Sequence, residues 1–121
     1  MKFLTDTTFW GRIYIAGDYN VASQICREYC MKGLCVNISK TNYIYTMGEE
    51  AGVCVELIKY PRFKMTREQI IQETRNLADA LLLGLHQGSY TMMFPDITYY
   101  VSRREDIRTR NKTGERLNSY T

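Results

Sequence analysis

The chain predicts an α+β fold of the ferredoxin-like type, βαββαβ, with one four-stranded antiparallel sheet and two helices on one face. Three observations carry this. Apolar and polar residues alternate in four separate short runs, the mark of half-buried strands. Two intervening stretches place apolar residues at helical spacing. The order of these elements over residues 11–101 allows two right-handed crossovers.

Residues 12–16 alternate, with Ile13 and Ile15 on one side, and read as the first strand. Residues 17–20 form a turn in which Asp18 or Asn20 is placed to cap a helix. Over residues 21–31 the apolar positions Val21, Ala22, Ile25, Cys26 and Tyr29 recur at helical spacing, and Gly33 suits the left-handed position that ends such a helix. Leu34, Val36 and Ile38 begin a second strand that continues through Tyr45. Residues 47–52 then read as a loop, and Val53, Val55 and Leu57 mark a third strand that Pro61 stops.

Thr66 and Gln69 have the spacing of a capping box. A broad apolar stripe follows, from Ile70 through Leu77 and Leu81 to Leu85, and His86 falls in the last turn, where a cation suits the helix dipole. Residues 89–94 form a fourth strand. Pro95 and Asp96 interrupt it, and residues 97–101 either extend it or turn back as its hairpin partner. Residues 1–101 thus form one domain, with Phe3, Phe9 and Trp10 of residues 1–10 covering an edge of the core.

The net charge of +3 sits in residues 102–121; the rest of the chain is balanced. This basic tail reads as a flexible terminus, or as an arm for an anionic partner. A neutral body excludes a dedicated, sequence-specific duplex-DNA binder. No apolar run is long enough to span a bilayer, and an acid at Asp6 precludes a secretory leader, so no membrane association and a cytoplasmic location are expected. The four cysteines, Cys26, Cys30, Cys35 and Cys54, lack the paired spacing of a zinc site and read as free, buried thiols. No metal and no cofactor are expected.

Alternation assigns Ile13, Ile15, Val36, Ile38, Val53, Val55 and Leu57 to the helix side. The open side receives Arg12, Tyr14, Cys35, Asn37, Ser39, Cys54, Glu56, Ile58 and Tyr60, joined by Tyr43 or Tyr45 and, depending on register, several of Tyr90, Met92 and Phe94. Ten tyrosines are many for this length, and an aromatic open face either stacks bases or buries itself against another copy. The third strand lacks the basic and aromatic RNA-recognition signature, which favours a homo-oligomer with Tyr14, Ile58 and Tyr60 at the interface.

Lys59, Tyr60, Arg62, Phe63 and Lys64 are the densest mix of positive charge and rings. Such a mix is an ordinary strand-to-helix connection, or an edge where a nucleotide stacks its base and pairs its phosphate. One histidine cannot supply paired histidines, and residues 47–52 carry acids where a phosphate loop needs Lys. These absences argue against catalysis.

Residues 43–53 and 57–63 resemble small accessory proteins of tailed bacteriophages. The resemblance implies expression inside a bacterial host. It also implies a role in binding host factors or sequestering nucleotide signals of host defence. The expected function is therefore a non-enzymatic accessory protein that binds a small nucleotide-like anion at residues 59–64. Two alternatives stand beside it: an inhibitor docking on a host protein, and a small nucleotide-processing enzyme.

Overall fold

Strand β1 (Trp10–Ala16) is the centre of the molecule. Its alternation buries Gly11, Ile13 and Ile15 on one side and turns Arg12 and Tyr14 to the other. Helix α1 (Tyr19–Tyr29) follows, capped by Asp18, whose carboxylate accepts from the Val21 amide at 3.0 Å. It tightens into a 3₁₀ turn (Cys30–Lys32), which Gly33 ends with φ 106°. Strands β2 (Asn37–Tyr45) and β3 (Gly48–Ile58) form a hairpin. Helix α2 (Arg67–Gly84) leads to a second hairpin, β4 (Ser89–Phe94) and β5 (Ile97–Ser102). The computed structural model describes residues 1–103; the basic tail expected over 102–121 lies, beyond Arg103, outside the described residues.

The sheet is antiparallel in the order β2-β3-β1-β4-β5. The first four positions are the ferredoxin-like order, and the fifth strand corrects the expected count of four. Its cause is local: Pro95 and Asp96 form a two-residue turn between the paired Phe94 and Ile97, so the chain folds back. The loop expected over 47–52 is also corrected. Tyr45 already pairs with Gly48, leaving Thr46 and Met47 as the turn, with Met47 at φ 71°. The exposed Glu49 and Glu50 therefore extend β3 rather than interrupt it.

Both capping-box bonds of α2 are present: the Gln69 amide donates to the Thr66 hydroxyl at 3.1 Å, and the Thr66 amide donates to the Gln69 side chain at 2.7 Å. Its buried stripe of Ile70, Thr74, Leu77, Ala78 and Leu81 packs on Ile13, Val55 and Met92 of the sheet. Gly11 lets the helix approach, because a Cβ there would lie 2.2 Å from the Thr74 hydroxyl. The end of α2 differs from expectation. His86 lies beyond the last turn at φ 56°, and the amides of His86 and Gln87 donate to Leu83 and Leu82. That is a Schellman closure, so His86 serves the backbone rather than the helix dipole.

The helix side of the sheet matches the alternation at Ile13, Ile15, Val53, Val55 and Leu57. Tyr90, Met92 and Phe94 also face the helices and are buried; the open side takes their neighbours Thr91 and Met93. Of the N-terminal rings, Phe9 is buried and stacks on Phe94 at 6.0 Å, Phe3 is exposed, and Trp10 begins β1.

Candidate functional site

Two carboxylates away from the core are built into clusters. On the open sheet face, the pairing of β1, β2 and β3 sets Arg12 and Asn37 on either side of Glu56. The Arg12 guanidinium lies 2.6 Å from one Glu56 oxygen, and the Asn37 amide donates to the other at 3.1 Å. Arg12 also rests 4.0 Å over the Trp10 ring. Burial raises the cost of charge on Glu56, but Arg12 and Asn37 outweigh it and hold the carboxyl below its ordinary range. Nearby, the Tyr43 hydroxyl donates to the Val53 carbonyl at 2.6 Å, and burial pushes its pKa up to about 12. The predicted interface residues Tyr14, Ile58 and Tyr60 are all half-buried; Tyr14 shares this face, and Tyr60 sits beside Cys35 and Asn37.

The second cluster joins the C-terminal end of α1 to the second turn of α2. The 3₁₀ turn folds Lys32 back over the ring of Tyr29, 4.0 Å away. One oxygen of Glu73, in α2, accepts from the Tyr29 hydroxyl and from the Lys32 ammonium, the latter at 2.7 Å. Burial opposes the Glu73 charge, yet Lys32 and Tyr29 keep the carboxyl below its ordinary range; Glu73 in turn raises Lys32. Beside this cluster opens a pocket of about 340 Å³, lined by Lys32, Leu34, Phe63, Lys64, Met65 and Glu73. It therefore offers a carboxylate, two ammonium groups, an aromatic ring and a thioether within one concavity, which is the mixed chemistry of a small-molecule site.

The five residues expected to bind a ligand are divided by the structure. Phe63 and Lys64 line this pocket. Tyr60 meets Phe63 edge-on at 6.2 Å but lies toward Asn37. Lys59 lines a separate hollow of about 390 Å³ with Lys64 and Arg67, and there it lies 3.0 Å from Asp6 and 2.7 Å from the Thr7 hydroxyl. Arg62 is exposed. Tyr29, Lys32 and Glu73 escaped sequence reasoning because no motif links them: the contacts span 44 and 41 residues.

Two other hollows are chemically poorer. A hollow of about 440 Å³ lies beside Gly17 and Gly52, but its charged groups are engaged, Asp18 as the α1 cap and Lys40 5.2 Å from the Tyr19 ring. A groove of about 450 Å³ between α1 and β2 carries Cys26, Cys30 and Cys35. Burial pushes the Cys26 thiol up to about 11 and raises Cys30, so neither is an activated nucleophile. Only Cys26 of the four is buried, as expected of a small apolar group; Cys35 is exposed. Among the described residues, no helix is long and apolar enough to cross a membrane.

The architecture has solved counterparts. A phage SAM lyase in the apo state superposes with a TM-score of 0.64 at 14% identity, covering 88% of this chain and 98% of that one. A phage SAM lyase in complex with S-methyl-5'-thioadenosine superposes with a TM-score of 0.60 at 13% identity, covering 87% and 98%. The chain shares its fold with phage SAM lyases. No family model matches the chain, and neither does any curated protein.

Both counterparts are phage proteins, in keeping with the resemblance of residues 43–53 and 57–63, and one holds a nucleoside. The expectation of a non-enzymatic binder, and of no catalytic activity, is overturned by these two counterparts, both of which are lyases, and the nucleotide-processing alternative fits them better. The missing histidine pair and phosphate loop exclude only the reactions that require them.

Proposed function

We propose that this chain is a lyase acting on a sulfonium nucleoside of the S-adenosylmethionine type, with methylthioadenosine as a product. The observation that carries the reading is the pocket at Glu73, in a fold shared with phage SAM lyases. Such a substrate carries an adenine ring, a sulfonium, an ammonium and a carboxylate. Phe63 supplies a face for the adenine, and Met65 an apolar wall. Glu73 takes a positive group, and Lys64 the carboxylate. On cleavage the electron pair of the carbon–sulfur bond goes to sulfur, which becomes a neutral thioether. The departing carbon chain completes its valence internally, one oxygen of its own carboxylate bonding to the carbon that leaves sulfur. The chain's residues hold and orient the substrate. Depleting a nucleoside cofactor keeps the host-defence role implied by the phage resemblance within this reading.

The test is incubation of the purified protein with S-adenosylmethionine and chromatography of the nucleosides. Methylthioadenosine should accumulate, and Phe63→Ala should raise KM about tenfold, in line with about 1–3 kcal/mol for stacking a base. The reading fails if no thioadenosine forms and methylthioadenosine leaves the melting temperature unmoved.

We further propose that a second copy covers the open sheet face at Tyr14, Ile58 and Tyr60. Trp10 and Tyr14 flank Arg12 on that face, and Tyr100 is 49% exposed. Light scattering should show at least a dimer, and a monomer overturns the assignment.

A further inference from the structure

Lys32 occupies a position that suits a ligand. Its ammonium lies 2.7 Å from a Glu73 oxygen and 4.0 Å from the centre of the Tyr29 ring. A carboxylate set beside an aromatic face is the chemistry that recognises cations, including those such as sulfoniums that lack N–H donors. The two walls are firmly placed. Tyr29 packs against the core and its hydroxyl is bonded to Glu73, while Glu73 stands on α2 one residue from the buried Thr74. The occupant is loosely placed: the Lys32 side chain is 47% exposed. It stands on a short 3₁₀ turn, followed by Gly33 with open space around its Cβ position. Glu73 and Lys32 both line the pocket, so a ligand there reaches the same carboxylate, while Tyr29 is not part of the lining and acts by holding Glu73.

We infer that Lys32 is a built-in competitor that sets charge specificity: its ammonium occupies the Glu73 carboxylate that faces the pocket, and a sulfonium must displace it whereas a thioether need not. This rests on the reading of the pocket given above. Two consequences follow. The empty site is kept neutral and closed to weakly bound cations. When carbon–sulfur cleavage removes the charge on sulfur, the product no longer competes with Lys32 for Glu73, and the ion pair re-forms. Lys32 is thereby a specificity-determining residue for the proposed reaction, acting through Glu73.

A matched pair of probes tests this: methylthioadenosine and its S-methylated sulfonium, which differ by one methyl group and one charge. Calorimetric titration is done on the full chain and on Lys32→Met, which keeps the stem of the side chain and deletes its charge. The variant should bind the sulfonium about tenfold more tightly than the wild type, with thioether affinity unchanged within about twofold. Glu73→Gln in the same background should abolish the gain. If both affinities move together, or the sulfonium affinity does not rise, the inference is overturned while the pocket reading stands. If neither probe binds either protein, the pocket reading falls and the inference with it.

Discussion

Glu56 and Glu73 are both carboxylates held below their ordinary pKa by a cation and a neutral donor, yet they are built in opposite ways. Glu56 is locked by the sheet: Arg12 and Asn37 are its cross-strand partners in the ladder, so the register alone brings all three together. Arg12 is braced further by Trp10. Glu73 is held by residues from another helix end, and one of its two partners is a long, half-exposed lysine on a short turn. A guanidinium set by strand pairing is a permanent partner; a lysine on a flexible stem is an exchangeable one. The difference teaches where to look for function: an ion pair that can be opened without disturbing the ladder, beside a pocket, has a use beyond stability.

The largest separation between the two should appear in activity. Glu73→Gln should lower kcat/KM on S-adenosylmethionine about 10- to 100-fold, the loss of a charged contact worth about 1.5–3 kcal/mol. Its melting temperature should change little. Glu56→Gln should keep activity within about threefold and lose about 0.5–1 kcal/mol of stability, since Arg12 is partly exposed and the pair is screened accordingly. Equal losses of activity in the two variants break the comparison. Steady-state kinetics and urea unfolding on the same preparations decide it.

A smaller effect should follow from the seat of α2. Gly11→Ala places a methyl 2.2 Å from the Thr74 hydroxyl and 2.9 Å from Phe94, with no room on either side. Overpacking of this kind costs about 1–3 kcal/mol. The helix should shift at Thr74, next to Glu73, while the register that holds Glu56 is retained. Denaturant unfolding gives the loss of stability, and the affinity for methylthioadenosine reports the displaced site. Wild-type stability in this variant would show that the helix yields freely, and that Glu73 is less firmly placed than its neighbour suggests.

The parts of the molecule that were legible in the sequence are those set by nearest neighbours along the chain. Alternation assigned Ile13, Ile15, Val53, Val55 and Leu57 to the core because a pleated strand turns successive side chains to opposite faces. The Thr66 box and the Asp18 cap are local hydrogen bonds and were equally visible. Residues 47–52 were misread because Gly and Glu signal a turn, whereas the real turn uses Met47 in a left-handed conformation that its side chain does not advertise. The fifth strand was one of two readings of Pro95, decided by pairing that only the folded sheet reveals. At the site, Phe63 and Lys64 stood out by local density of charge and rings. Glu73 did not, since a carboxylate on a helix surface looks like ordinary solvation until Tyr29 and Lys32 arrive from another element.

The smallest expected effect lies in the acid limb of the stability curve. Glu56 and Glu73 have folded-state pKa values below those of an unfolded chain. Each therefore contributes stability that is complete above the ordinary carboxylate pKa of about 4.3 and is lost as pH falls through the lower folded value. The wild type should lose stability below about pH 4, and either Glu→Gln variant should flatten that loss by less than about 1 kcal/mol, because Arg12 and Lys32 are both substantially exposed. Salt then tells the two apart. At about 1 M the screening length is about 3 Å, and the more exposed Lys32 pair should be weakened first. The flattening by Glu73→Gln should shrink in high salt to the part that the Tyr29 hydroxyl supplies, while that by Glu56→Gln changes less, since Asn37 and the strand register both hold Glu56 without long-range attraction. Acid titrations followed by tyrosine fluorescence in low and high salt measure both. An identical salt response would mean that Lys32 is as firmly placed as Arg12, and the distinction between a locked and an exchangeable pair would have to be given up.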